Sequence, residues 1–357
     1  NAVSLESAHH KGLKYAQWLF SRLQRLVTPL LLLIFAWGGI ALIMKLLGAG
    51  AELIQLTSQA SLIPTWFLAI YIMVVTLSPL MYKIWRRLGL MSFWILVVFA
   101  VAVDLAFFAA GAHWLGWTNY FWVWLAIHNL GFAWRDGRIG SPRVLIMFSA
   151  IALLVMWMLV FLGPYPLAMV GSPNQSLSNT TPPKITLLAL AILQFGLLLS
   201  IENPMRRALN SLRLWTVTVL VNSMIMTLYL WHISVMIVLI GVLYLMGGPG
   251  LALEPGSLNW WFARPVWMAV LCLMLIPFSL LLSPLERGAR GSKSPAVSLL
   301  RLIAGSMIIC LGIALLAMYG FGGGPLARLD LAAFVMVAAG AALSGLIPGL
   351  RLIRRDS

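Results

Sequence analysis

The stretch LIPTWFLAIYIMVVTLSPLMYKIWRR, residues 62–87, determines the class of fold. Residues 62–82 carry no charge, and Lys83, Arg86 and Arg87 follow at once. A helix needs about 20 apolar residues to cross the hydrocarbon core of a bilayer, and basic residues collect at its cytoplasmic end. The stretch therefore predicts a membrane-spanning helix whose carboxyl end lies in the cytoplasm.

The rest of the chain repeats this pattern. Its 357 residues are 62% hydrophobic and only 9% charged, whereas a soluble domain carries roughly 25% charged residues. Only helices satisfy every backbone polar group of such long segments in lipid. We therefore predict an all-α fold, a polytopic transmembrane bundle of about ten spans. The candidate spans are 27–49, 62–82, 90–112, 116–134, 142–163, 185–201, 216–246, 263–285, 297–320 and 330–350.

The basic residues fall on alternate loops. Of the 24 Lys and Arg residues, all but Lys45, Lys184, Arg264 and Arg328 lie before the first span, after every second span, or after the last. This alternation predicts a multi-pass protein of the inner (plasma) membrane with both visible termini in the cytoplasm. Orientation and contact with anionic membrane lipids then account for the net charge of +15, so no nucleic-acid partner is expected.

The spans do not form one uniform series. A linker with Gly and Ser at 288–294 separates residues 1–287 from 288–357, where two spans poorer in polar groups precede a basic tail. We predict a main transmembrane domain followed by an appended transmembrane hairpin. Within the first part, residues 216–246 would form a straight helix of roughly 46 Å, so we expect this span to tilt, protrude or break.

Ionisable side chains within spans are costly, and this makes them candidates for function. Asp104, His128 and His232 are such residues, although each could instead be a hydrogen-bonded structural group. Tyr229 precedes His232 by three residues on the same helix face. The pair could orient a ring nitrogen for proton transfer, or it could simply join two helices.

Arg22 and Arg25 form an R-x-x-R pair just before the first span. Orientation charge is one explanation, and a phosphate clamp at the cytoplasmic mouth is another, because guanidinium groups bind phosphate through two planar donors. The sequence has no Gly-rich phosphate loop, zinc signature or nucleophile elbow. The residues alone indicate an intramembrane polar site, and an enzyme, a transporter or lipid flippase, and a structural subunit all remain open.

Three segments, taken in order, resemble the acyltransferase-3 family of bacterial integral-membrane acyltransferases. Residues 1–29 are similar to the corresponding part of actinobacterial members. They are SRLQRLVTP with Arg22 and Arg25, PTWFLAIYIMVVTLSPLMY with Trp66, and VNSMIMTLYLWHISVMIVL with Asn222, Ser223, Tyr229 and His232. The resemblance runs from residue 1 to about residue 290. It implies an O-acyltransferase that moves an acyl group, often acetyl, from cytoplasmic acyl-CoA to a hydroxyl of an extracytoplasmic envelope glycan or lipid, with no bound cofactor.

The resemblance also implies roles for individual residues. Arg22 and Arg25 would bind the phosphates of acyl-CoA, while His232 and Tyr229 would serve in the polar core on the acceptor side. The residues implied at the substrate are Trp66, Asn222 and Ser223, and the further catalytic candidates are Asp104 and His128.

The chain departs from the family pattern in two places. The family's first span carries an Arg followed by the His expected to act in acyl transfer, and His9 and His10 cannot replace it because they lie in a hydrophilic stretch. We therefore expect two spans to precede Asn1 in the intact protein, and no acyl transfer without them. In addition, Tyr71 stands where some branches have Glu, which argues against the branches that modify peptidoglycan or O-antigen.

Overall fold

The computed structural model describes residues 15–170, 177–288, 297–322 and 327–346. His9, His10, most of the predicted linker and the basic tail lie outside these ranges, so the expectations for them stay predictions.

The described residues form helices and no strand, which confirms the all-α prediction. Hydrophobic runs of this length are helical because each backbone amide then finds its partner within the segment. A short 3-10 helix, His113–Thr118, connects two of the α-helices. The α-helices are α1 Tyr15–Leu46, α2 Ala51–Leu62, α3 Thr65–Leu88, α4 Leu90–Ala109, α5 Asn119–Arg135, α6 Pro142–Phe161, α7 Ile185–Ser200, α8 Glu202–Ala208, α9 Leu212–Leu245, α10 Leu258–Gly288, α11 Leu299–Tyr319 and α12 Ala327–Leu343.

Among the described residues, seven segments are long and apolar enough to cross a membrane, or eight if the bent pair α7–α8 is one span. The predicted number of about ten is therefore approximate. Three of the ten predicted spans correspond to helices shorter than these seven segments. They are α5, α7 and α12, which have 17, 16 and 17 residues. The long segments are Tyr15–Leu46, Ala51–Leu88, Leu90–Ala109, Pro142–Phe161, Leu212–Leu245, Leu258–Leu282 and Leu299–Tyr319.

The overlong predicted span is one unbroken helix. Helix α9 has 34 residues, about 51 Å if straight. It contains no proline and a single glycine, Gly241, so every internal backbone amide remains available for the helical hydrogen-bond ladder. Of the three expectations for this span, breaking is excluded, while tilting and protruding remain.

The chain packs as two compact units. Among the described residues, the central unit contains those between 77 and 217, and the terminal unit contains those between 15 and 76 and between 218 and 346. The core of the terminal unit is apolar and includes Leu23 and Leu30 of α1 together with Leu230 of α9.

The predicted hairpin, α11 and α12, belongs to the terminal unit. After α11, the backbone N–H of Phe321 donates to Ser58 Oγ of α2 at 2.8 Å, and Gln59 Nε2 donates to the carbonyl oxygen of Met318 at 2.7 Å. Two hydrogen bonds thus join the end of α11 to α2. The predicted domain boundary near residue 288 stays a prediction.

Candidate active site

Tyr229 of α9 contacts the beginning of α3 within the terminal unit. Its side chain is half-buried, and its hydroxyl donates to the backbone carbonyl oxygen of Pro64 at 2.8 Å. Its ring centre lies 5.8 Å from that of Phe67 in an edge-on arrangement. Both contacts hold α9 against the start of α3, and because the hydroxyl proton is already donated, Tyr229 has the geometry of a positioning residue.

His232 lies one turn further along α9, and its side chain is exposed. The ring Nδ1 is 2.6 Å from the backbone carbonyl oxygen of Tyr229. A carbonyl oxygen can only accept a hydrogen bond, so Nδ1 is the donor in this contact, and in the neutral ring the lone pair is then on Nε2. The ring can then accept a hydrogen bond at Nε2, and a role of His232 in acyl transfer stays a prediction.

An aromatic group at the start of α3 lies beside Tyr229. The ring of Trp66 meets that of Phe67 edge-on at 6.0 Å, and Phe67 stacks on Tyr71 at 6.3 Å. Trp66 and Tyr229 are thus linked through Phe67, which the sequence reasoning did not single out. The available signal was the spacing of Phe67 and Tyr71, which places two aromatic rings on one face of the helix.

Asn222 and Ser223 lie nearer the start of α9. Asn222 precedes His232 by ten residues, about 15 Å of helix, and its side chain is exposed. The hydroxyl of Ser223 donates to the carbonyl oxygen of Leu220 within the same helix at 2.7 Å. The structure does not bring these two residues next to His232, and their role at the substrate stays a prediction.

Arg22 and Arg25 lie within α1, since this helix begins at Tyr15, well before the apolar run. Arg22 is half-buried with its guanidinium carbon 5.9 Å from the centre of the Trp18 ring, and Arg25 is exposed. Neither forms an ion pair with a described residue. The pair therefore presents positive charge that no described carboxylate neutralises.

A hydrogen bond relates α1 to the position of His232. The indole N–H of Trp37 donates to Ser234 Oγ at 2.9 Å, and Ser234 comes two residues after His232. Trp37 follows Arg25 by twelve residues, about 18 Å along α1. The arginine pair and His232 thus belong to one unit, and about 18 Å of α1 separates Arg25 from the tryptophan that hydrogen-bonds Ser234.

Asp104 occupies the polar centre of the other unit, the central one, where it is only 1% exposed. Its Oδ1 accepts a hydrogen bond from Asn119 Nδ2 at 2.8 Å. Its Oδ2 accepts from the hydroxyl of Tyr165 at 3.0 Å and from the backbone N–H of Ile185 at 2.8 Å. The carboxylate thereby caps the amino end of α7, where backbone N–H groups lack helical partners. This is the geometry of a structural anchor, and a catalytic role for Asp104 stays a prediction.

A buried lysine accompanies Asp104. Lys184 is fully buried, and its Nζ lies 3.5 Å from the centre of the Phe107 ring. Burial lowers the pKa of Lys184, and the negative charge of Asp104 opposes this shift. Burial also raises the pKa of Tyr165, and the charge of Asp104 adds to that effect. Sequence reasoning assigned Lys184 no role, although it is one of the four basic residues outside the alternating pattern.

His128 lies apart from this polar centre. It is half-buried on α5, and its ring meets Phe132 edge-on at 4.7 Å. Along α5 it follows Asn119, the partner of Asp104, by nine residues, about 13 Å. The structure therefore does not bring His128 and Asp104 together, and His128 as a catalytic residue also stays a prediction.

The fold and these side chains define a class, a multi-pass helical membrane protein with polar and aromatic groups set within its helices. The model of the acyltransferase-3 family, described as an acyltransferase domain, matches residues 9–284. The chain belongs to this family and is a membrane acyltransferase. No curated protein and no solved structure matches it.

Proposed function

We propose that the protein transfers an acyl group from cytoplasmic acyl-CoA to a hydroxyl of an extracytoplasmic glycan or lipid, with acetyl as the first candidate. The observation that carries this proposal is the orientation of His232, whose Nδ1 is held by the Tyr229 carbonyl while the side chain as a whole is exposed. The alternating basic loops support a plasma-membrane location with these loops in the cytoplasm.

Arg22 and Arg25 are proposed to bind the phosphates of the donor. Guanidinium groups suit phosphate because they donate two parallel hydrogen bonds to its oxygens. Among the described residues neither arginine is engaged in an ion pair, so binding would not require an existing pair to break. The separation of about 18 Å along α1 between Arg25 and Trp37 leaves room for an extended pantetheine arm to reach the level of His232.

The proposed chemistry is nucleophilic substitution at the thioester. The acceptor hydroxyl donates a hydrogen bond to Nε2 of His232, which orients it, and its oxygen attacks the acyl carbonyl carbon while its proton passes to the catalytic histidine that the family resemblance implies for the intact protein. The carbon–sulfur bond then breaks, the new ester remains on the acceptor, and CoA leaves as a thiolate that takes up the proton. In this scheme Tyr229 fixes the position of His232, and Trp66 contributes to the apolar wall beside the acyl group.

Acyl transfer can be measured in membranes from cells that express the intact protein, supplied with labelled acetyl-CoA and a broad envelope extract. We expect the H232Q variant, which keeps a polar group but loses the ring nitrogen that orients the acceptor hydroxyl, to lose about tenfold in kcat with little change in the KM for acetyl-CoA. For the double variant Arg22→Gln/Arg25→Gln we expect an increase of about tenfold in that KM. The double variant Arg207→Gln/Arg213→Gln is the matched control, because it removes two exposed basic residues elsewhere.

Absence of transfer by the folded intact protein from several acyl-CoA donors would contradict the proposed function. An unchanged kcat in H232Q would show that His232 takes no part in the reaction. An equal change of KM in both double arginine variants would show that Arg22 and Arg25 act only through the overall positive charge.

A further inference from the structure

A second cationic feature lies at the basic end of α3, within the central unit. It is a cleft of about 360 Å³, and its walls come from the end of α3 with the glycine that follows and from the turn after α5. We call it the arginine cleft, because three of its lining residues are arginines. The lining residues are Trp85, Arg86, Arg87, Leu88, Gly89, Asp136 and Arg138.

The single carboxylate of the arginine cleft does not neutralise the three guanidinium groups. Oδ2 of Asp136 accepts a hydrogen bond from the indole N–H of Trp85 at 2.8 Å. Trp85 is almost completely buried, so it holds the carboxylate against a fixed wall. Within the described parts of the chain, no arginine of the cleft forms an ion pair, and an excess of positive charge remains.

The position of Arg138 depends on Gly89. This glycine has φ +54°, and a Cβ at its position would come within 2.7 Å of Nη1 of Arg138. The guanidinium carbon of Arg138 is also 6.0 Å from the centre of the Trp85 ring. The glycine thus permits a close approach of the guanidinium group to the backbone, and two different segments direct their arginines into one cavity.

We propose that the arginine cleft binds a phosphate-bearing anion through Arg86, Arg87 and Arg138. Membrane orientation requires basic residues on a loop, but it does not require basic residues of separate segments to converge on one cavity. Convergent planar guanidinium groups suit the oxygens of a phosphate ester. Two sources share this chemistry, the headgroup of an anionic phospholipid and the phosphates of CoA, and the site is separate from the roles proposed for Arg22, Arg25 and His232.

The test uses the intact protein in nanodiscs and compares the two sources. In the lipid arm, discs contain phosphatidylcholine mixed equally with phosphatidylglycerol, and native mass spectrometry counts the phosphatidylglycerol molecules that stay bound. In the nucleotide arm, discs contain phosphatidylcholine alone, and equilibrium dialysis measures the binding of CoA and of dephospho-CoA. The cleft variant is Arg87→Gln/Arg138→Gln, and Arg207→Gln/Arg213→Gln is the control with the same loss of charge.

We expect the cleft variant to bind one of the two ligands about tenfold more weakly than the control variant does. A loss confined to phosphatidylglycerol assigns the cleft to a lipid headgroup, and a loss confined to CoA assigns it to the nucleotide. Equal binding by the cleft and control variants in both arms would overturn the proposal.

Arg138→Lys serves as a second variant if the double variant does not fold. It keeps the charge and removes the planar pair of donors, so we expect it to weaken binding of the same ligand about threefold. Wild-type affinity in this variant for both ligands would also overturn the proposal, because a phosphate bound by the planar donors of Arg138 must bind more weakly to an ammonium group.

Discussion

The hydroxyl of Tyr229 donates a hydrogen bond of 2.8 Å to the backbone carbonyl oxygen of Pro64. Pro64 lies in the short break between α2 and α3, so this bond fixes α9 to that break. His232 takes its orientation from the backbone carbonyl of the same tyrosine. The hydroxyl of Tyr229 therefore positions the helix, and its carbonyl oxygen positions the histidine ring.

The Tyr229→Phe variant removes the hydroxyl and keeps the ring against Phe67. We expect the free energy of unfolding to fall by about 1 kcal/mol, the usual net contribution of one hydrogen bond. We also expect a lower kcat for acyl transfer with an unchanged KM for acyl-CoA, because the donor site is elsewhere. Tyr71→Phe is the control, since Tyr71 stacks on the same Phe67 ring. A raised KM with an unchanged kcat would contradict the positioning role.

Asp104 and Lys184 are expected to be coupled in stability. Asp104→Asn keeps the shape of the side chain but leaves the buried ammonium of Lys184 without its counter-charge, and we expect a loss of about 3 kcal/mol in the free energy of unfolding. Lys184→Met should cost less, because three hydrogen bonds still satisfy the carboxylate. The double variant should recover about 1 to 2 kcal/mol relative to the sum of the single losses.

This double-mutant cycle can be measured by denaturant unfolding in detergent micelles. Additive losses would show that the carboxylate and the ammonium stabilise the central unit independently, contrary to our expectation.

The lowered pKa of Lys184 predicts a dependence of stability on pH. At a pH between the pKa of Lys184 in the folded protein and its ordinary value of 10.5, the unfolded chain binds more protons at this residue than the folded chain does. The free energy of unfolding therefore rises with pH across that window. We expect the Tm of the wild type, relative to that of Lys184→Met, to increase as the pH rises toward the ordinary lysine pKa. A difference that stays constant or decreases would mean that burial does not penalise this ammonium.

The close packing of α11 and α12 depends on a glycine. A Cβ at Gly312 would lie 2.8 Å from the carbonyl oxygen of Ala333 and 2.7 Å from Cγ2 of Val337. We expect Gly312→Ala to lower the free energy of unfolding by about 2 kcal/mol, because the two helices must move apart. Gly241→Ala in α9 is the control, since nothing lies within 4 Å of its Cβ position.

For Gly241→Ala the better helix propensity of alanine should raise the free energy of unfolding by up to about 1 kcal/mol. Thermal unfolding of both variants in the same detergent tests the contrast. A rise in the free energy of unfolding for both variants would show that propensity outweighs packing at Gly312.

Features that depend on neighbouring residues could be predicted from the sequence. The all-α fold follows from the length of the apolar runs, since lipid leaves backbone groups no partner outside their own helix. The relation of Tyr229 to His232 follows from a spacing of three residues. The three family segments were recognisable for the same reason, because each is a continuous stretch of the sequence. The number of spans was less certain, because α5, α7 and α12 are close to the minimum length.

Only the tertiary structure decided which distant residues meet. The carboxylate of Asp104 reaches Tyr165 and Ile185, which lie 61 and 81 residues further along the chain, and Trp37 meets Ser234 across 197 residues. No period or composition encodes such pairs, because they depend on how helices pack after they have formed. The arginine cleft has the same origin, since charge alternation places arginines on a loop and only packing directs those of two segments into one cavity. The sequence by itself thus determined the helices, the membrane and the family, while packing decided the anchor at Asp104, the burial of Lys184 and the convergence of the arginines.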